Sequence, residues 1–399
     1  MNRGTYSIYV DGFDYGCAVT KAIVTVEETM HSISKANIQV KEVKKTTDWS
    51  DASFSEKLLS FDREVLDVYF VDEKGEKCES SNTFVIEMRE DPNHGSPFTF
   101  SLVTGRNSWC DPYELHISME GLDIDPKYTK KETVADCFIA QKKSYEGVEY
   151  DYAYYKPEKE TSTLVVWLHG GGEGGVGNKS ANIDVYTAIL GNRVTALAQK
   201  PFQDAVGGAY ILVPQCPTYW IDKDGKDSGI WEHADGTSFY KDSLIALIDD
   251  FAQKIQAKKI VITGCSNGGY MSTLIAKTCA DKYTSYVHCC APMDSNALSE
   301  EDIQILKDLP MYYIYAKDDD LVDPEGYEVP VLKRLKEAGA DKISVSITDS
   351  VIDQTGKYSD VKGNPYKYSG HWSWIHFFNN YTADQNGKSV FDWIADSIR

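Results

Sequence analysis

The chain predicts two domains of different class: an all-β sandwich over residues 1–122 and an α/β domain over 123–399, built on a mostly parallel, doubly wound sheet. Two observations predict this. Short alternating runs separated by turn residues fill the first part, whereas from about residue 130 near-continuous apolar runs alternate with helical segments. A chain of 399 residues has room for both cores.

The early runs are "YSIYV", "KAIVTV", "ANIQVKEV", "EVLDVYFVD", "NTFVIEM", "FTFSLVT" and "YELHISM". About seven such strands at this spacing point to an antiparallel sandwich of immunoglobulin-like architecture. The Cys–Trp–Cys pin of antibody domains is absent, and no grouping of His, Cys or paired carboxylates marks a site. This half reads as a scaffold or assembly module.

The later runs are "TLVVWLHG", "AYILVPQ", "KIVITGC", "SYVHCCAP", "MYYIYA" and "KISVSIT". Strands buried on both faces have this character. Between them, "SLIALIDDFAQKI" lines up Leu244, Leu247, Ile248, Phe251 and Ile255 on one helical face. "PVLKRLKEAGA" and "SVFDWIADSI" follow the same period.

Composition excludes several partners. A formal charge of −20 and a pI near 4.8 repel phosphates, which argues against nucleic acid and against an anionic membrane. No apolar run approaches spanning length. The start, "MNRGTYSIYVDGFDYG", lacks a hydrophobic signal core, so a cytoplasmic protein is expected. Nine cysteines, an odd number with no Cys-x-x-Cys pair, form no disulfide framework. Cys289 and Cys290, in an apolar strand-like run, read as buried reduced thiols.

The chemistry concentrates at strand ends. In "KKIVITGCSNGGYMSTLIA" a Gly-x-Ser-x-Gly match follows a strand and opens a helix, with Gly264 and Gly268 as the small flanks a sharp turn around Ser266 demands. Alone the motif is weak. Upstream, "WLHGGGEGG" places His169 and three glycines after a strand, a loop whose backbone N–H groups would pair with that of Asn267 as an oxyanion hole. A phosphate-loop reading of "GEGGVGNKS" fails because Asn178 breaks the register. The acid is expected from "MYYIYAKDDDLVDP": Asp319 is chosen over Asp318, Asp320 and Asp323 because the usual hydrolase pattern leaves two residues between the acid and a turn valine, here Val322. Asp294 is the reserve, and the choice between Asp318 and Asp319 stays open. The base comes from "YKYSGHWSWIHFFNN", where His371 ends a loop and His376 reads as a core histidine. Ser266, Asp319, His371 is the chain order of one serine-hydrolase group, distinct from the chymotrypsin and subtilisin orders.

Taken together, "HGGGEGG", "VPQCPTYWID", "GCSNGGYM", "LKRLKEAGA" and "GHWSWIHFFNN" resemble a bacterial group of prolyl-oligopeptidase-like α/β-hydrolase esterases, related to polyhydroxybutyrate-depolymerase-type and feruloyl-type esterases. Members with an N-terminal immunoglobulin-like domain begin much like "YSIYVDGFDYGCAVTKAIV", though "DYGC" replaces the expected Asp-Trp-Gly-Pro turn. The resemblance implies a Ser266–Asp319–His371 triad, an oxyanion hole at Gly171 and Asn267, and, from some relatives, a homo-oligomer assembled through the N-terminal domain.

The expected activity is carboxylic ester hydrolysis on a small-molecule or saccharide-linked ester with a short or aromatic acyl group. Tyr219, Trp220, Trp231 and Trp372 are the candidate aromatic walls of the substrate site. No H-E-x-x-H spacing or comparable ligand pattern occurs, so neither metal nor organic cofactor is expected. The alternatives are a prolyl-oligopeptidase-type serine peptidase, for which no propeller-like repeat is present, and a non-catalytic binding protein on the same frame.

Overall fold

Alternation and continuity of apolar residues become two different cores in the computed structural model, which describes residues 1–176, 182–227 and 234–399. The chain divides into the units Met1–Cys137 and Phe138–Arg399.

The first unit is all-β, with twelve strands where about seven were expected. A seven-stranded sheet is centred on Asn2–Phe13 and Gly16–Met30, and a three-stranded sheet holds Tyr113–Ser118, Gln39–Thr47 and Glu56–Arg63. Buried Tyr6 ties the two together: its hydroxyl donates to the Pro126 carbonyl at 2.6 Å and accepts from the Leu115 N–H at 2.7 Å. The boundary lies beyond residue 122. Leu122–Ile124 and Lys130–Thr133 both pair in parallel with the first strand, Asn2 facing Leu122 and Ser7 facing Lys130. The second of these edge strands is Lys-Lys-Glu-Thr, too polar and short to carry an alternating pattern.

The second unit is an α/β-hydrolase fold. Its eight-stranded sheet runs Phe138–Tyr145, Val148–Tyr155, Tyr210–Gln215, Thr163–Leu168, Lys259–Cys265, Ser285–Cys289, Met311–Ala316, Ile343–Thr348. The first two pairings are antiparallel and the others parallel. The opening hairpin has no counterpart in the sequence reading, because Phe138–Tyr145 exposes all six residues between its buried ends. Leu244, Leu247, Ile248 and Phe251 do face the core, on helix Lys241–Lys254, against Leu164, Val166 and Ile262. Each such fully buried side chain stabilises the fold by about 1.5–3 kcal/mol.

Strand order reverses around Thr163–Leu168, which lies between Tyr210–Gln215 and Lys259–Cys265. Leu168 faces Gly264 across this ladder, so the chain leaves both strands side by side. In an open parallel sheet that reversal point is where ligands bind.

Candidate active site

Ser266 sits between strand Lys259–Cys265 and helix Asn267–Cys279 with φ 51° and ψ −118°. A non-glycine residue there is strained, by about 1–3 kcal/mol, and persists only where its surroundings enforce it. They do. A Cβ on Gly264 would stand 2.5 Å from the Gly268 carbonyl oxygen, and one on Gly268 would stand 2.0 Å from that of Leu168. The Ser266 N–H is held at 2.8 Å by the Cys289 carbonyl on the neighbouring strand. The turn thus lifts a serine to the head of a thirteen-residue helix, where the dipole favours developing negative charge.

Gly171 follows Leu168 by three residues and comes back beside the helix start. A Cβ built on it would lie 4.0 Å from that of Asn267 and 3.2 Å from Cε1 of Tyr219. Asn267, as the first helical residue, has a backbone N–H with no intrahelical acceptor. Its side chain accepts from the Trp220 N–H at 2.6 Å, which ties the Tyr219–Trp220 segment to the helix start. His169 holds the loop from below: Nδ1–H donates to the Gly170 carbonyl at 2.6 Å, and Nε2 accepts from the Cys216 N–H at 2.9 Å. These two bonds select one neutral tautomer of a fully buried ring.

Asp319 and His371 come from loops after two further strands. His371 Nδ1 lies 2.8 Å from Asp319 Oδ2, and both residues are buried. The other carboxylate oxygen accepts from the N–H groups of Leu321 at 3.0 Å and Val322 at 2.8 Å. The turn valine is therefore a clamp on the acid. Asp318 points elsewhere, to Lys367 Nζ at 2.7 Å. Asp320 and Asp323 are exposed, and Asp294 caps the turn that follows it by accepting from the Asn296 N–H. His371 rides on the turn Gly370–Trp372, where a Cβ on Gly370 would stand 2.4 Å from the Asp318 carbonyl oxygen.

His376 is buried in helix Trp374–Phe378. His288, also buried, meets the Ser272 hydroxyl at 2.6 Å. Burial pushes His288 down to about 3, so it stays neutral.

The aromatic residues divide. Tyr219 is half-buried against Gly171, and Trp372 is half-buried between Tyr368 and Trp374, with ring centroids 6.2 Å from each. Trp220 is not a wall of the site. It is fully buried, its ring near-parallel to Tyr150 at 6.4 Å and tilted toward His169 at 5.2 Å. An indole next to an inward-turning Ile221 gains more from the core than from solvent, so it packs beneath the His169–Gly171 loop instead. Trp231 lies outside the described residues, as does the 177–179 stretch of the phosphate-loop near miss.

Sequence reasoning missed the specific place of Cys290. Its donor atom and those of Asp319 and His371 all lie within 4.8 Å of one another. Burial first, then the Asp319 charge, push this thiol well above the usual cysteine range. Both adjacent thiols are free and buried. The available signal was position: Cys290 follows the strand that flanks the serine-bearing strand, at its carboxyl end.

Residues 152–340 match the phospholipase/carboxylesterase family. Among solved structures, the chain is similar to a thermostable esterase at 21% identity and a TM-score of 0.69, over 94% of this chain and 96% of that one. A ferulic acid esterase aligns at 11% identity and a TM-score of 0.44, covering 65% of this chain and 98% of its own. An acylaminoacyl peptidase of Pyrococcus horikoshii aligns at 16% identity and a TM-score of 0.41, covering 74% and 49%. No curated protein matches the chain. Among the described residues no helix is long and apolar enough to cross a membrane. With the family match spanning the segments that carry Gly171, Ser266 and Asp319, unit 138–399 is a serine carboxylic ester hydrolase on the α/β-hydrolase fold.

Proposed function

We propose that Ser266, His371 and Asp319 act as the triad of this hydrolase and cleave esters of short or aromatic acids through an acyl-enzyme. The observation that carries the assignment is the buried 2.8 Å bond from His371 Nδ1 to an Asp319 carboxylate whose second oxygen is already held by two backbone N–H groups. A bond at Nδ1 leaves Nε2 as the proton acceptor, the tautomer a general base requires.

His371 takes the Ser266 hydroxyl proton as the oxygen attacks the ester carbonyl. The backbone N–H groups of Gly171 and Asn267 stabilise the tetrahedral oxyanion, an effect worth about 3 kcal/mol per donor. His371 returns the proton to the departing alcohol, and water then releases the acid by the same steps. Tyr219, beside the oxyanion loop, and Trp372, next in sequence to the base, support an aromatic-walled acyl pocket.

Hydrolysis of a p-nitrophenyl ester series from acetate to octanoate, run beside Ser266→Ala, tests this reading. Turnover is expected with the short esters and should vanish in the variant. Equal turnover by Ser266→Ala would sink it.

A further inference from the structure

A thiol, an imidazole and a carboxylate from three separate loops converge on one buried spot. Cys290 follows strand Ser285–Cys289, Asp319 follows Met311–Ala316, and His371 lies beyond Ile343–Thr348. Their donor atoms lie within 4.8 Å of one another, and all three residues are buried. The Cys290 backbone is held in place: its N–H donates to the Ile314 carbonyl at 2.9 Å, and its φ is 41°, in the left-handed region.

This is the donor set of a borderline-soft divalent cation. One thiolate, one imidazole nitrogen and one carboxylate oxygen, with a water as fourth ligand, satisfy tetrahedral zinc, whereas magnesium and calcium prefer all-oxygen cages. Metal–ligand bonds of about 2.0–2.3 Å put tetrahedral donors about 3.3–3.8 Å apart. The three side chains reach that spacing if the thiol closes in and the His371–Asp319 bond opens slightly.

We propose that Cys290, Asp319 and His371 form an inhibitory site for Zn²⁺ directly behind the catalytic base. This deepens the function proposed above and rests on His371 acting as that base. The proton balance explains the inhibition. Cys290 releases its proton to solvent as sulfur bonds the metal. The imidazole stays neutral, but the metal takes the lone pair at Nδ1, so the ring proton moves to Nε2. Ser266 then faces an N–H donor where it needs an acceptor, and the hydroxyl proton has nowhere to go.

The test uses the full chain, stripped of metal with EDTA. Zn²⁺ is titrated into p-nitrophenyl acetate hydrolysis, with Mg²⁺ as the control ion. Wild type should lose activity at least tenfold on Zn²⁺, recover it with EDTA, and ignore Mg²⁺. Loss of even an outer partner of a metal ligand weakens binding by about 10–100-fold, so Cys290→Ala should need at least that much more Zn²⁺. Cys290→Ser, nearest in volume, is the second variant and should shift in the same direction. Co²⁺ added to Ser266→Ala should give a near-ultraviolet thiolate-to-cobalt absorption that disappears in Ser266→Ala/Cys290→Ala. Equal Zn²⁺ sensitivity of wild type and both Cys290 variants, or cobalt binding with no thiolate absorption, overturns the site. Full activity of Ser266→Ala would instead overturn the triad, and the cobalt absorption would still decide whether the site exists.

Discussion

Gly268 packs so tightly beneath Leu168 that a Cβ on it would stand 2.0 Å from the Leu168 carbonyl oxygen. That oxygen belongs to the strand leading into the His169–Gly171 loop, so a single contact registers the serine turn against that loop. Gly268→Ala should therefore destabilise the hydrolase unit by several kcal/mol and abolish activity, because backbone has to move at both loops. Denaturant midpoints and ester turnover measured together check this. A folded, active Gly268→Ala protein would contradict it.

The acid can be tested against its neighbour in sequence. Asp319→Asn leaves the shape but favours the wrong imidazole tautomer, and kcat should fall about 10⁴-fold. Asp318→Asn loses only a partly exposed pair with Lys367 and should change kcat less than about threefold, since such pairs contribute about 0–1 kcal/mol. Reversed effects would move the acid by one residue.

Tyr219 and Trp220 adjoin in sequence and should fail differently. Trp220→Ala empties a fully buried site and should cost about 3–5 kcal/mol of stability. Tyr219→Ala should leave the melting temperature nearly unchanged while raising KM for aromatic-acyl esters more than for acetate. A kinetic profile across both ester types, beside thermal melts, separates the two roles.

Glu328 gives a dependence on pH. Its carboxyl group is buried, and burial, reinforced by the Asp319 charge and opposed by backbone N–H groups of Glu328 and Ala291, pushes it up to about 8. An unfolded glutamate ionises near 4.5. Between those values the folded protein holds a proton that the unfolded chain releases, so stability falls as pH rises from 4.5 through 8. Glu328→Gln removes that slope and should raise the melting temperature at pH 8.5 more than at pH 5.5. Parallel melting curves for the two proteins across this range would show that Glu328 does not titrate there.

Much of the site was legible in the chain because its parts are local. Gly264-Cys265-Ser266-Asn267-Gly268 carries its own turn geometry, and the glycines after His169 mark a backbone approached closely by another segment. The choice of Asp319 rested on its spacing to Val322, a relation within one turn. Cys290 was not legible in this way: its thiol meets the pair only because three strand ends are neighbours in the sheet.

The sequence by itself determined the two fold classes and the order of the chemical groups along the chain. Apolar periodicity and turn residues act over a few positions, and one chain is enough to display them. Only the tertiary structure decided the boundary at Cys137, the burial of Trp220, and the convergence of Cys290 with Asp319 and His371. Each of these depends on what packs against a residue from far along the chain. A polar edge strand belongs to whichever sheet completes its hydrogen bonds, and an indole goes where its area leaves water. Neither partner is written beside the residue that needs it.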